Sequence, residues 1–206
     1  MAKIGINEAE HYGNSGGTGW FTLKDDKDTA KVRFMYNDVN DMSMNVVHEV
    51  EVDGKKRYVN CIRTHDEPVA NCPPCRAGYK QSVKMFVPLY NEDAGEMQIW
   101  SRGRTFASQL VSLAGRYNPL CSAVMEIERQ GRKGEQTTRY QIYPDKTDGT
   151  TLEDLPDVPD VIGGIVMDKS FGELEQFVSR GSFPSEKVER REEGVIQRRG
   201  SNRPKF

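Results

Sequence analysis

No apolar run of the roughly eighteen residues that a membrane-spanning helix requires occurs in this chain of 206 residues. The opening stretch, "MAKIGINEAEHYGNSGGTGW", has no apolar segment of signal-peptide length. The sequence therefore reads as soluble and intracellular. Cysteine is scarce, with four in all, and in a reducing compartment such residues serve as metal ligands or free thiols more often than as disulfides. Histidine is scarcer still: His11, His48 and His65 are the three. No phosphate-binding G-x-x-x-x-G-K-[ST] loop occurs, and "GGTG" at 16–19 precedes a strand-like run and not a helix. No catalytic set emerges, and the chain reads as non-enzymatic. A basic excess is also missing. The net charge is -2, whereas a nucleic-acid-binding domain is usually basic. Any such face must come from the arrangement of charges.

That balance hides an uneven layout. Residues 151–177 carry seven acids against one lysine, and residues 178–206 carry eight basic residues against four acids. The hydrophobic share, 36%, supports one core and leaves segments that need not fold. "GNSGGTG" at 13–19 has linker composition, making 1–19 a flexible N-terminal segment. Val32, Phe34 and Tyr36 alternate with Lys31, Arg33 and Met35, the period of a half-buried strand. Asp53-Gly54 between two β-prone runs is a hairpin turn. "SVKMFVPLYNEDAGEMQIWSRG" reads as a second hairpin, "TFASQLVSLAGRY" as a helix and "CSAVMEIERQGRKGEQTTRYQIYP" as a third hairpin. Three hairpins with one inserted helix predict a mainly β fold: an OB-fold-like antiparallel barrel over 20–145, with a small metal-binding subdomain at about 48–80. The rest, 146–206, reads as an acidic linker, a short helix at "SFGELEQFVSRG" and a disordered basic tail.

The strongest chemical signal is His48-x12-Cys61-x10-Cys72-x2-Cys75. With Asp53-Gly54 as the turn, His48 pairs with Val59 and Val46 with Cys61. His48 and Cys61 are then diagonal neighbours on one face, within mutual reach. One imidazole and three thiolates form the closed set of a structural zinc site. Other readings stand beside it. Cys72 and Cys75 could be a redox pair, although no thioredoxin-like βαβ pattern accompanies them. Cys61 could be a lone buried thiol. His65 could replace His48. Cys121 reads as a core residue.

The second hairpin suggests a binding face. Met85, Val87 and Leu89 would point inward with Met97 and Ile99, leaving Phe86, Tyr90 and Trp100 exposed among Lys84 and Arg102. Rings beside cations suit a single nucleic-acid strand, because bases stack on the rings and cations follow phosphates. Arg104 follows directly. Lys55, Lys56, Arg57, Tyr58, Arg63, Arg76 and Lys80 cluster around the cysteine knuckle, Arg33 stands on the polar side of the first strand, and the third hairpin adds Arg139 and Tyr143. The acids Glu49, Glu51, Asp66, Glu67, Glu126 and Glu128 are expected to lie off this face.

These features resemble the zinc-containing single-stranded DNA-binding proteins of tailed phages, the gene-32 type. The resemblance rests on His48-x12-Cys61, on "CPPC" and on the aromatic hairpin leading into a helix. It covers roughly 45–115 well and the strand pattern to about 144 loosely. It implies an OB-fold core, zinc held by His48, Cys61, Cys72 and Cys75, and single-stranded DNA as the ligand in the cytoplasm of the host cell. It also implies self-association on the strand, and replication and recombination proteins as partners of the C-terminal region. The chain departs from the pattern in having no strongly basic N-terminal arm and in carrying its acidic stretch internally. Two further functions compete: a zinc-ribbon adaptor for a protein partner, and a thiol oxidoreductase.

Overall fold

The computed structural model describes residues 19–135 and 137–184. The remainder of the N-terminal segment and the basic tail lie outside the described residues. Among the described residues, nine strands and three α-helices follow in the order β1 (Gly19–Trp20), β2 (Thr29–Phe34), β3 (Asn45–Val52), β4 (Lys55–Asn60), α1 (Pro73–Arg76), β5 (Gln81–Asn91), β6 (Glu96–Gly103), α2 (Arg104–Ala114), β7 (Ala123–Gln130), β8 (Arg139–Thr147), β9 (Val166–Met167) and α3 (Phe171–Arg180).

The fold is mainly β, and its strands form one mixed sheet. The path runs β8-β7-β2-β5-β3-β4-β9, with β6 on the other edge of β5 and β1 beside β6. The long β5 organises it. Residues 81–84 pair with β3 and residues 89–91 with β2, while the opposite edge pairs with β6 over 84–91. Two pairings are parallel, β1 with β6 and β4 with β9. The fully antiparallel closed barrel expected from the three hairpins is therefore not what forms. The sheet stays open, and strands from outside the hairpins add parallel edges.

Turn chemistry sets the two registers that matter most. Asp53 and Gly54 both adopt positive φ, 51° and 71°, the signature of a two-residue type I′ turn. They lock Val52 opposite Lys55 and His48 opposite Val59, as the sequence dictates. In the second hairpin, residues 92–95 connect Asn91 to Glu96, which places Phe86 opposite Ser101 and Val87 opposite Trp100. Trp100 thus shares a face with Val87, and Phe86 shares the other with Ile99. The sequence reading grouped Trp100 with Phe86 and is corrected here. A shift of one residue in register moves every side chain of a strand to the opposite face, and the length of this loop was not legible from composition.

On the Val87 side, Trp100 is 2% exposed. Its ring packs edge-on against Phe21, Phe106 and Tyr140, at centroid distances of 5.3, 4.8 and 5.0 Å. Val32, Phe34, Leu89, Leu110, Met125 and Ile127 complete this core. α2 contributes because Phe106, Leu110 and Leu113 recur at helical spacing, so one stripe meets the sheet.

The segment read as an acidic linker is packed. Val161, Ile165 and Val166 lie on Val47, Phe86 and Ile99. α3 begins at Ser170 with a reciprocal capping box to Glu173 and ends at Gly181 in the left-handed region, φ 75°. It buries Leu174 and Phe177 on Val50 and Val59. α3 falls where the sequence suggests a short helix, whereas Val161, Ile165 and Val166 are irregularly spaced among acids and prolines, so no period announced them.

Candidate metal centre and nucleic-acid interface

Three elements converge on one point. The β3–β4 register brings His48 beside Cys61, whose N–H donates to Val46 O at 3.0 Å. The short α1, opened by Pro73 and Pro74, turns Cys72 and Cys75 towards them. The four ligand atoms lie within 4.8 Å of one another. His48 Nε2 is 3.5 Å from both Cys72 Sγ and Cys75 Sγ. Cys61 Sγ is 3.8 Å from Cys72 Sγ and 3.7 Å from Cys75 Sγ. This His/Cys3 cluster could hold a metal ion. His65 is excluded from it, because its side chain is fully exposed and faces Asp66.

The surrounding groups orient the donors. His48 Nδ1 faces Lys80 O at 3.3 Å, which leaves Nε2 for the cluster. Burial holds the His48 imidazole below its usual pKa, favouring the neutral, ligating form. Burial pushes the Cys72 thiol up to about 11 in the absence of an ion, so its deprotonation there is coupled to binding a cation. Arg63 Nε donates to Cys75 Sγ at 3.3 Å, and Gln81 Nε2 donates to Cys61 Sγ at 3.0 Å. Arg63 Nη2 in turn donates to Gln81 Oε1 at 2.9 Å. The sequence reading assigned Arg63 to a nucleic acid, but its guanidinium is engaged with the Cys75 sulfur, Glu67 O and Gln81 Oε1. Gln81 was missed altogether, since nothing in the spacing of a neutral amide marks it as a partner of sulfur. Replacing Gln81 by Leu is expected to weaken metal affinity roughly 10- to 100-fold, as loss of an orienting partner does; competition with a chromogenic chelator measures it.

The face carrying Phe86 has different content from that expected. Trp20 on β1 is 48% exposed. Its ring lies 6.0 Å from Tyr58 and 6.2 Å from Phe86, and Tyr58 lies 5.1 Å from Phe86. Phe86 itself is buried, beneath Val161, Ile165 and Val166. The accessible ring is therefore Trp20, with half-buried Tyr58 beside it. Lys56 and Arg57 on β4 are exposed and line the same pocket, whereas the exposed Lys55 lines a separate one with Val52 and Met167. A pocket of about 220 Å³ opens here, lined by Trp20, Glu49, Lys56, Arg57, Tyr58 and Ser101. Trp20 escaped the sequence reading because it follows a glycine-rich stretch and sits in a strand only two residues long.

Several expected contact residues have other duties. Trp100 is core. Arg102 stacks between the rings of Trp100 and Tyr140, 4.2 Å from each centroid, a cation–π arrangement inside the fold. Arg33 is buried, donating to Glu92, to Asp148 at 2.7 and 2.9 Å and to Cys121 O at 3.1 Å. That tie holds the Asp148 carboxyl far below the ordinary carboxylate range. Arg76 pairs with Glu175 on α3. Lys80 and Arg104 are exposed, while Lys84 and Tyr90 are half-buried. Arg139 and Tyr143 are exposed on β8, separated from β4 by β7, β2, β5 and β3, so they do not join the Trp20 cluster. Glu49, expected elsewhere, stands opposite Tyr58 and accepts from Lys56 Nζ at 2.8 Å.

Among the described residues no helix is long and apolar enough to cross a membrane. No protein-family model and no curated protein matches this chain in sequence.

Proposed function

We propose that the protein is a non-enzymatic single-stranded DNA-binding protein with a structural zinc. Its role would be to coat and protect strands exposed in phage replication, recombination and repair. The observation that carries this reading is the exposed Trp20 ring beside Tyr58, with Lys56 and Arg57 lining the same pocket. A stacking platform bordered by cations holds splayed bases and their phosphates, whereas paired bases in a duplex offer no free ring faces. The order of hairpins and inserted helix supports an OB-fold-like scaffold with an opened sheet. The phage setting and the replication partners come from the resemblance of the His48, "CPPC" and hairpin motifs.

Size and donor type support zinc. A tetrahedral ion with bonds of ~2.3 Å to sulfur and ~2.0–2.1 Å to nitrogen requires edges of about 3.8 Å between sulfurs and about 3.5 Å from sulfur to nitrogen. Cys61 Sγ lies 3.7–3.8 Å from the other two sulfurs and His48 Nε2 lies 3.5 Å from Cys72 Sγ and Cys75 Sγ, with all four donors within 4.8 Å of one another. All four positions are protein donors, the arrangement of a structural site. Bound there, the ion would fasten the β3–β4 hairpin to α1.

Fluorescence anisotropy with labelled oligo-dT and a duplex of equal length, at two salt concentrations, tests the reading. Binding of the single strand well above that of the duplex, weakening as salt rises, is the expected result. Equal affinity for both, or none for either, contradicts it.

A further inference from the structure

Glu49 is an unusual lining for a surface that meets a polyanion. Glu49 lines the Trp20–Tyr58 pocket and stands directly opposite Tyr58 in the β3–β4 ladder. Next to a phosphate it would be repulsive. Within a nucleic acid, the partner that a carboxylate accepts from is a base N–H, above all an exocyclic amino group such as N4 of cytosine. The rest of the pocket suits a base and not a phosphate. Trp20 and Tyr58 supply ring faces, and Ser101 Oγ on the wall is buried with no hydrogen-bond partner among the described residues. The volume, about 220 Å³, is below the ~300–1,000 Å³ of pockets for drug-sized ligands and is matched to one ring system. Lys56 and Arg57 at the rim are placed for the phosphates on either side of it.

We infer that this pocket holds a single splayed base and that Glu49 makes it selective for bases bearing an exocyclic amino group, cytosine over uracil or thymine. The inference rests on the strand-binding reading and adds a preference to it. Stacking alone is tolerant of sequence, because every base has a π-face. Lys56 Nζ, on a side chain 80% exposed, donates to one Glu49 oxygen, Oε1, and leaves the second oxygen for the base. Lys56 can then turn to phosphate without leaving a buried charge behind.

Oligo-dC and oligo-dU differ in an amino group against a carbonyl at one ring position, with no thymine methyl to confuse the comparison. Both are titrated against the full chain, its Glu49→Met variant and its Lys56→Met variant. The wild type is expected to bind dC roughly 5-fold or more tighter than dU, the worth of one good hydrogen bond. Glu49→Met should collapse that ratio to about one, mainly by weakening dC, while Lys56→Met should weaken both strands and keep the ratio. Glu49 is exposed, so its replacement leaves the core intact, and a circular dichroism melt verifies it. Equal wild-type affinity for dC and dU overturns the selectivity and leaves strand binding standing. A dC preference that survives in Glu49→Met overturns the role of Glu49. Failure of the full chain to bind any oligonucleotide removes the strand-binding reading and the inference with it.

Discussion

Cys72→Ser is expected to abolish stoichiometric metal binding and to unfasten residues 61–80 from the sheet. Cys72 is completely buried, and its sulfur stands in hydrogen-bonding range of His48 Nε2 and against Cys61 Sγ. A serine hydroxyl is a shorter, harder donor that does not replace a thiolate in a tetrahedral sulfur-rich site. The loss should be large, because structural zinc contributes an apparent ~10–16 kcal/mol in small zinc-dependent peptides. Here much of the sheet has its own core around Trp100 and Leu89, so the outcome should be local unfolding and a lower Tm instead of global collapse. α3 should loosen too, since Tyr79 packs 6.0 Å from Phe177 and Arg76 pairs with Glu175. Elemental analysis, thermal melting and limited proteolysis at 62–80 read these effects. Cys121→Ser is the control: Cys121 is buried near Thr150 O, remote from the cluster, and metal content should be unchanged. Full metal retention by Cys72→Ser would contradict the ligand assignment.

The second large effect separates the two tryptophans. Trp20→Ala is expected to weaken binding of oligo-dT roughly 5- to 100-fold, the worth of one stacked base, with little change in Tm. The ring is 48% exposed and touches the fold mainly through Tyr58 and Phe86. Trp100→Ala should do the reverse. Removing a ring that is 2% exposed costs about 3–5 kcal/mol of stability, and it strands Arg102 between an empty site and Tyr140. Any loss of DNA affinity in that variant should follow its unfolding. If Trp100→Ala stays folded and loses binding while Trp20→Ala keeps it, the interface has been placed on the wrong face.

This exchange of roles shows where the sequence was legible and where it was not. Asp53-Gly54 specifies a two-residue turn, so the positions of His48 and Cys61 followed by counting, and the CPPC spacing supplied the other two donors. The connection at 92–95 has no comparable signature. Its length decided whether Trp100 joined Phe86 or Val87, and the periodicity of each strand is satisfied either way. β2 posed a related difficulty: Arg33 and Met35 are as buried as Val32 and Phe34, because both sides of that strand are covered. A buried arginine reads as polar alternation until Glu92 and Asp148, distant in sequence, are seen to neutralise it. The packing of Val161, Val166, Leu174 and Phe177 was hidden for the same reason, since their partners on β3, β4 and β5 lie far away in the chain.

The most direct measurement follows the emission of Trp20 alone. In a Trp100→Phe variant it is the sole tryptophan, since the chain has two. Oligo-dT is titrated into this protein while the anisotropy of a label on the DNA reports binding independently. Quenching of Trp20 that rises in parallel with anisotropy, and is absent with a duplex of equal length, is the expected result. Saturated single-strand binding with Trp20 emission unchanged would contradict the placement of the strand on the Trp20–Tyr58 face, and the absence of any binding would contradict the function itself.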